Sequence, residues 1–332
     1  MNSLPRVVVT DYIVEPLDHE RAVLNGHAEV VALGARTQDE LRDGITDAEA
    51  LMIYHFLQLD AATIHSLNRC KVIVRPGVGF DNIDIVAAEK CGIPVCNVPD
   101  YGTEEVADSA IGMAVSLSRG SHYLNSRLRR DPDAQWAVGV AGSIPRLRGQ
   151  VFGIVGLGRI GSAAAVRAKS FGFDVVFYDP FVPDGMDKAL GVRRVDSLEE
   201  LLEQSHILSL HCPLTELTQG MIGREEIDLM PRGSVLVNTA RGGVVKTNDV
   251  VGALANGQLS GAGIDVLEVE PPAEGDPVVA ACRDVSHPAH DRLLLNPHAA
   301  FFCNEGEAEF RTKGAREVLR ALRGEPLRNQ VA

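Results

Sequence analysis

Three ionisable residues stand just after three short apolar runs in the second half of the chain. Arg241 follows Ser234–Asn238 in Asn-Thr-Ala-Arg-Gly-Gly, and Glu270 follows Gly261–Val266 in Asp-Val-Leu-Glu-Val-Glu-Pro-Pro. His298 follows Leu293–Leu295 in Asn-Pro-His-Ala-Ala-Phe-Phe. If the runs are parallel strands, all three side chains fall beyond the carboxyl ends, where open α/β sheets bind ligands. A guanidinium holds a carboxylate through paired hydrogen bonds and polarises the neighbouring carbonyl. An imidazole protonates that carbonyl oxygen as hydride reaches the carbon, and a carboxylate beside the imidazole favours its charged, acidic form. These are the parts for hydride transfer to a 2-oxoacid. Taken singly, a loop Arg or Glu is more often a solvated surface charge; the joint placement carries the reading.

A hydride needs a carrier, and a glycine loop supplies a place for one. Gly156, Gly158 and Gly161 in Val151-Phe-Gly-Ile-Val-Gly-Leu-Gly-Arg-Ile-Gly161 have GxGxxG spacing. The loop follows an apolar run and opens the alanine-rich stretch Ser162–Ser170, and Asp179 closes the next run. That context is the dinucleotide fingerprint. Gly156 permits the tight turn, Gly158 lets backbone amides approach a pyrophosphate, and Gly161 lets the helix pack on the strand; the helix N-terminus favours phosphate. Asp179 accepts from ribose hydroxyls and repels a 2′-phosphate. Pro180, Phe181, Val182 and Pro183 follow it without Arg or Lys. NAD is therefore the expected cofactor; a glycine turn with no ligand is the alternative.

These groups need a scaffold, and the chain alternates short β-branched runs with helical segments throughout. Strands are expected at Val7–Thr10, Glu29–Leu33, Ala50–Tyr54, Val72–Arg75 and Pro94–Asn97. A second series covers Val151–Val155, Val175–Tyr178, His206–Leu210, Ser234–Asn238, Gly261–Val266 and Leu293–Leu295. Helices are expected at Glu15–Asn25, Gln38–Gly44, Ala61–Leu67, Ile83–Lys90, Glu104–Arg119 and Gly306–Arg323, and one opens with the capping-box pattern Ser197…Glu200. Residues 121–147 are polar and read as an arm or linker. Strand–helix alternation predicts an α/β protein with two doubly wound parallel sheets.

With 332 residues, 45% hydrophobic and 23% charged, the chain suits two globular domains. A formal net charge of −13 with no basic run argues against nucleic acid as a direct ligand. Six scattered cysteines without a CxxC pair read as reduced thiols. The N-terminus has no signal-peptide layout, and no apolar run approaches membrane-helix length. A cytoplasmic protein is expected, with no membrane association.

Taken together, the motifs resemble the D-isomer-specific 2-hydroxyacid dehydrogenase family over nearly the whole chain. They are Gly-Leu-Gly-Arg-Ile-Gly (156–161), His-Cys-Pro-Leu-Thr (211–215), Asn-Thr-Ala-Arg-Gly (238–242), Asp-Val-Leu-Glu-Val-Glu-Pro (265–271) and Asn-Pro-His-Ala-Ala (296–300). The resemblance implies catalytic roles for Arg241, Glu270 and His298. It implies cofactor contacts from Gly156, Gly158, Arg159, Ile160, Gly161, Asp179, Cys212, Pro213, Thr239, Ala240, Asp265 and Thr103. Substrate contacts are implied for Tyr54, His55, Val78, Gly79, Arg241 and Phe301, with the loop Arg75-Pro-Gly-Val-Gly-Phe-Asp-Asn-Ile-Asp84 receiving the carboxylate. It further implies a flavodoxin-like substrate domain (1–101 plus 299–332) with an inserted Rossmann NAD-binding domain (102–298). Hinges would lie near Asn97–Thr103 and His298–Phe302, closing over the active site to exclude water. Residues 121–147 would be a dimerisation arm, making a homodimer.

Asn-Val-Pro-Asp-Tyr-Gly-Thr-Glu-Glu-Val-Ala-Asp (97–108) and Pro-His-Ala-Ala-Phe-Phe resemble the C-terminal-binding-protein-like branch, which usually carries Trp at the position of Phe301. The stretch from Glu270 to His298 is longer than the family norm and includes His287 and His290. Both precede the last strand, so His298 is preferred; with Asp291 they are alternative metal ligands, though no metal is expected. Tyr54-His-Phe-Leu-Gln58 lacks the Arg that a phosphorylated substrate requires, and Glu270 replaces the Gln of related formate dehydrogenases. An unphosphorylated 2-oxoacid with an apolar, aromatic or small side chain is expected. A corepressor-like scaffold that senses NAD(H) with little turnover is the alternative.

Overall fold

The computed structural model describes residues 3–332; Met1 and Asn2, which begin the N-terminal stretch considered above, lie outside them. The chain divides into two compact units, residues 1–102 with 302–332, and residues 103–301.

The first unit carries β1 (Arg6–Val9), β2 (Glu29–Ala32), β3 (Ala50–Met52), β4 (Ile73–Arg75) and β5 (Val95–Asn97) in the order β2-β1-β3-β4-β5. All pairings are parallel. A sheet covered on both faces has no polar side, so its strands are short unbroken apolar runs. Val7–Val9 and Ala50–Met52 are accordingly fully buried. The order is that of a flavodoxin-like sheet. The C-terminal helix Asn304–Arg323 returns to this unit and packs on β3, β4 and the helix Asp18–Leu24. Its buried Arg311 makes a two-pronged pair with the fully buried Glu20, both contacts 2.8 Å, and also donates to the Pro16 carbonyl. The chain end then lies along β5, Val331 N–H donating to the Val95 carbonyl and Val95 N–H to that of Ala332.

The second unit carries β6 (Val151–Val155), β7 (Asp174–Tyr178), β8 (Arg193–Arg194), β9 (Ile207–Leu210), β10 (Ser234–Asn238), β11 (Leu259–Ile264) and β12 (Leu293–Leu295). Their order is β12-β11-β10-β9-β6-β7-β8, again all parallel. The chain enters in mid-sheet at β6, winds to one edge, and returns through β9 to the other. This is the Rossmann winding, with its switch point between β6 and β9. Helices Thr103–Ser118 and Arg159–Ser170 bury Ala110, Met113, Ala165 and Ala168 on one face. Leu201, Val250 and Leu254 fill the other.

Expected strands and helices coincide with observed ones to within a few residues at their ends. β8 was not expected, because a two-residue Arg-Arg edge strand has no apolar run to announce it. At Ser197 the hydroxyl accepts from Glu200 N–H as the capping box requires. The Glu200 carboxylate instead accepts from Asp196 N–H, one residue early. Residues 121–147 form the helix Ser121–Arg130, with no buried side chain, and a single 3-10 turn at Val138–Ala141. No helix among the described residues is long and apolar enough to cross a membrane.

Candidate active site

The strand order of the second unit lines its candidate residues along one edge. From β12 to β7, the carboxyl ends lead into His298, Asp265 with Glu270, Arg241, Cys212–Pro213, the glycine loop and Asp179. Six separate stretches of sequence thus meet on one side of one sheet.

In the glycine loop, Gly156 has φ +88°, a conformation that side chains rarely tolerate. A Cβ there would also stand 2.8 Å from the Cys212 nitrogen. A Cβ on Gly161 would lie 2.0 Å from the Gly156 carbonyl oxygen, so only glycine lets the helix meet the loop. Gly158 is different: a Cβ there would enter open space. It caps a twelve-residue helix with no side-chain cap, and a helix N-terminus without one suits an approaching pyrophosphate. Arg159 and Ile160 form the first turn of that helix.

Asp179 serves the loop directly. One carboxylate oxygen accepts from Leu157 N–H and the other from Phe181 N–H, each at 2.8 Å. Thr239 is 8% exposed and its hydroxyl has no partner within the protein, as a residue reserved for a ligand would show. Open space at Gly158, this hydroxyl and the acid at the end of β7 together fit a dinucleotide. Cys212 is buried, which pushes its thiol up to about 11 and leaves it unreactive near neutrality. Ala240 N–H donates to the Asn238 side chain, and Thr103 starts the helix Thr103–Ser118.

At the other end of the edge, His298 Nδ1 lies 2.5 Å from a Glu270 carboxylate oxygen. The second Glu270 oxygen accepts from Leu267 N–H at 2.8 Å, so the carboxylate is held before it meets the ring. A carboxylate at Nδ1 makes that nitrogen the donor and leaves Nε2 for a substrate oxygen. His298 has φ +51°, at a cost of roughly 1–2 kcal/mol for a residue with Cβ.

Asp265 supports that conformation. Its carbonyl accepts from His298 N–H at 2.7 Å. Its Oδ1 accepts from the Asn296 side chain and from Ala299 and Ala300 N–H, at 2.7, 2.8 and 3.0 Å. Burial pushes its carboxyl above the ordinary value, opposed by His298 and those donors. Beside it, a Cβ on Gly242 would stand 1.9 Å from the Leu267 backbone, so the Arg241 turn packs on the Asp265–Glu270 segment. Arg241 Nη1 donates to the Ala240 carbonyl, and the Phe301 ring meets that of His298 edge-on at 6.1 Å.

The rival histidines lie in the loop before β12. His287 Nδ1 accepts from Ala289 N–H, and His290 Nε2 is 3.7 Å from Asp291. Asp291 is engaged by Arg130 and Ser126 of the arm helix. Among the described residues, no group of three or more His, Cys, Asp or Glu side chains is arranged to hold a metal.

In the first unit, Val78 and Gly79 lie in the turn after β4 and His55 in the turn after β3. Tyr54 is different from its expected placement at a pocket surface: it is 1% exposed, and its ring packs edge-on against Phe310 at 5.8 Å. Its hydroxyl has no hydrogen-bond partner, and burial raises its pKa well above the ordinary value. Two more residues stand at the carboxyl edge of the first unit's own sheet, Tyr12, which the sequence did not single out, and Arg75, which opens the loop it did. Tyr12, after β1, lies beside His55 with ring centroids 4.9 Å apart and the rings tilted. Arg75 packs beneath the glycine turn, where a Cβ on Gly77 would collide with its guanidinium.

Residues 111–300 match the family model described as D-isomer specific 2-hydroxyacid dehydrogenase, NAD binding domain. The chain belongs to this family. Over 329 residues it is 34% identical to the D-3-phosphoglycerate dehydrogenase of Methanocaldococcus jannaschii, covering 98% of this chain and 59% of that protein. Over 312 residues it is 33% identical to C-terminal-binding protein 1 of Caenorhabditis elegans, covering 92% of this chain and 42% of that one. The chain thus spans about half the length of these two relatives. Among solved structures, D-lactate dehydrogenase from Aquifex aeolicus, complexed with NAD and lactic acid, superposes with a TM-score of 0.85. The identity there is 27%, with 96% of each chain covered. This family member therefore carries the family's nucleotide-binding domain on the second unit.

Proposed function

We propose that the protein is an NAD-dependent oxidoreductase interconverting a 2-oxoacid and a D-2-hydroxyacid. The observation that carries this reading is the Glu270–His298 pair, held at 2.5 Å in a strained turn anchored by Asp265. Bound NAD(H) supplies the hydride donor or acceptor at its nicotinamide. Arg241 holds the substrate carboxylate and polarises the C2 carbonyl. His298 delivers a proton from Nε2 to the carbonyl oxygen in reduction and removes it from the hydroxyl in oxidation. Glu270 fixes the ring and stabilises its protonated form. Val78 and Gly79 offer backbone amides to the carboxylate.

Asp179 favours NAD over NADP, because a 2′-phosphate would meet a carboxylate already fixed to the loop. Helix Ser121–Arg130 and the following segment leave Trp136 and Val138 91% and 98% exposed, which supports a homodimer through this arm. The 54–58 segment carries no Arg, so the substrate is unphosphorylated. The likeness to C-terminal-binding protein 1 supports a second reading, an NAD(H)-sensing scaffold.

NADH consumption across a panel of 2-oxoacids tests both. Turnover in the ordinary range of ~1–10³ per second supports the enzyme, and less than ~0.1 per second on every candidate supports the scaffold. Activity that survives His298→Ala combined with Glu270→Ala refutes the mechanism.

A further inference from the structure

The helix Thr103–Ser118 lies against β11, and two glycines set how closely. A Cβ on Gly261 would stand 3.0 Å from Leu117 Cδ2, and one on Gly263 would stand 2.9 Å from Met113 Cβ. Four helical residues advance about 6 Å and two strand residues about 6.6 Å, so the two elements keep step. Leu117 meets Gly261 and Met113 meets Gly263. The next step puts Ser109 at the level of Asp265, just past the end of β11. The first two positions of this helical stripe are apolar, and the third, at the carboxyl edge of the sheet, is a serine.

Ser109 Oγ donates to the Ala300 carbonyl at 3.0 Å, across 191 residues of sequence. A helical serine commonly bonds back to a carbonyl one turn earlier in its own helix. This one commits its single proton to a loop instead. Ala300 is buried, and its N–H is already given to Asp265 Oδ1 at 3.0 Å. Both of its backbone groups are therefore fixed, the N–H from the end of β11 and the carbonyl from the helix. Two residues earlier, His298 has φ +51° and its Nδ1 meets Glu270. Such a conformation persists only where its surroundings enforce it. Asp265 supplies acceptors on one side of the turn, and Ser109 supplies a donor on the other. All of these groups belong to the second unit.

We propose that Ser109 is a positioning residue for the acid–base group, its bond to Ala300 holding the turn that aims the His298 ring. Without that bond the strained backbone relaxes, and the ring spends less time in the reactive geometry. The proposal rests on the 2-oxoacid reductase activity proposed above. Glu270 fixes Nδ1, so the place of Nε2 is set by the backbone of residues 298–300. Misplacing a reacting group by about 1 Å costs as much as about 10²-fold in rate. The loss here is smaller, because Asp265 and Glu270 still hold the turn from their side. It falls on kcat, since cofactor and substrate are bound by other groups, the glycine loop and Arg241 among them.

The test compares wild type with Ser109→Ala, with Ser109→Cys, which keeps the size but is a weak donor, and with Ser109→Thr, which keeps the hydroxyl. NADH-dependent reduction of the best 2-oxoacid gives kcat and KM, and fluorescence gives NADH affinity. Ser109→Ala and Ser109→Cys are expected to lower kcat by ~3–10-fold, with KM and NADH affinity within ~2-fold of wild type. Ser109→Thr stays within ~2-fold throughout. Hydrogen exchange at the Ala299 and Ala300 amides, measured without substrate, speeds by ~3–10-fold in the same two variants, while Leu236 in β10 is unchanged. Ser109→Cys decides the matter if Ser109→Ala folds poorly. A lowered Tm with kcat unchanged, unaltered exchange at Ala299 and Ala300, or a kcat that Ser109→Thr fails to preserve overturns the positioning role alone. A wild type that binds NADH yet reduces no 2-oxoacid overturns the activity reading, and the role of Ser109 in it.

Discussion

His211 gives a stability prediction whose sign and size follow from its burial. It directly follows β9, and its backbone together with that of Cys212 is what a side chain on Gly156 would strike. The imidazole is buried, with Nε2 2.9 Å from the Ser209 hydroxyl and Nδ1 without a partner. Burial pulls its pKa from 6.5 down to about 4. Between those values the unfolded chain binds a proton that the folded protein refuses, so stability falls as pH falls. The contribution is fully present above pH 6.5 and lost as pH drops through about 4. At about 1.4 kcal/mol per pH unit, this is about 3 kcal/mol over the whole window and about 2 kcal/mol between pH 7.5 and 5. Urea unfolding of wild type and His211→Gln at the two pH values isolates the effect, since every other titrating group is shared. Hydrogen exchange at Leu208 and Leu210 localises it to the second unit. If the two proteins lose the same stability within about 0.5 kcal/mol, burial of a neutral His211 is not the cause.

Three further outcomes are expected. Asp265→Ala strips the acceptor from three donors of the His298 turn, at about 1–3 kcal/mol for each group left buried and unpaired, visible as a lowered Tm. Its kcat should fall more than its NADH affinity, because the misplaced group is His298; Asp265→Asn keeps an acceptor and should recover most of the Tm. Asp179→Ser should raise kcat/KM with NADPH by ~10-fold or more, and adding Arg194→Ala should cancel the gain, as read by cofactor kinetics. Arg311→Ala leaves Glu20 charged and unpaired in the core, at about 3–5 kcal/mol by urea unfolding, whereas Arg311→Met with Glu20→Leu should restore most of that loss.

Arg194 shows where a linear reading stops. The residues following Asp179 contain no cation, yet Arg194 on β8 reaches back to donate to the Asp179 carbonyl at 2.8 Å and pairs with Asp184. Its guanidinium also lies over the Phe177 ring. That neighbourhood arises from the β7–β8 pairing and has no counterpart in residue spacing. Tyr54 shows the converse. It falls in the stretch of sequence expected at the pocket, but its ring turns into the core with the side chain of Ile53 before it, while Phe56 two residues on is exposed.

Apolar runs, helix periods, capping residues and glycine spacing are local signals, and they sufficed for two α/β units, the nucleotide loop and the three ionisable residues after three strands. The order of those strands is a lateral property, set by which buried faces pack together. It alone decides that Asp265 holds the His298 turn, that Arg194 stands behind Asp179, and that Tyr12 shares an edge with His55 and Phe56. A period along the chain reports which face of an element is buried, but not which element lies beside it. The candidate residues were therefore legible in residue types and spacing, while the contacts that support the His298 turn emerged only in the folded sheets.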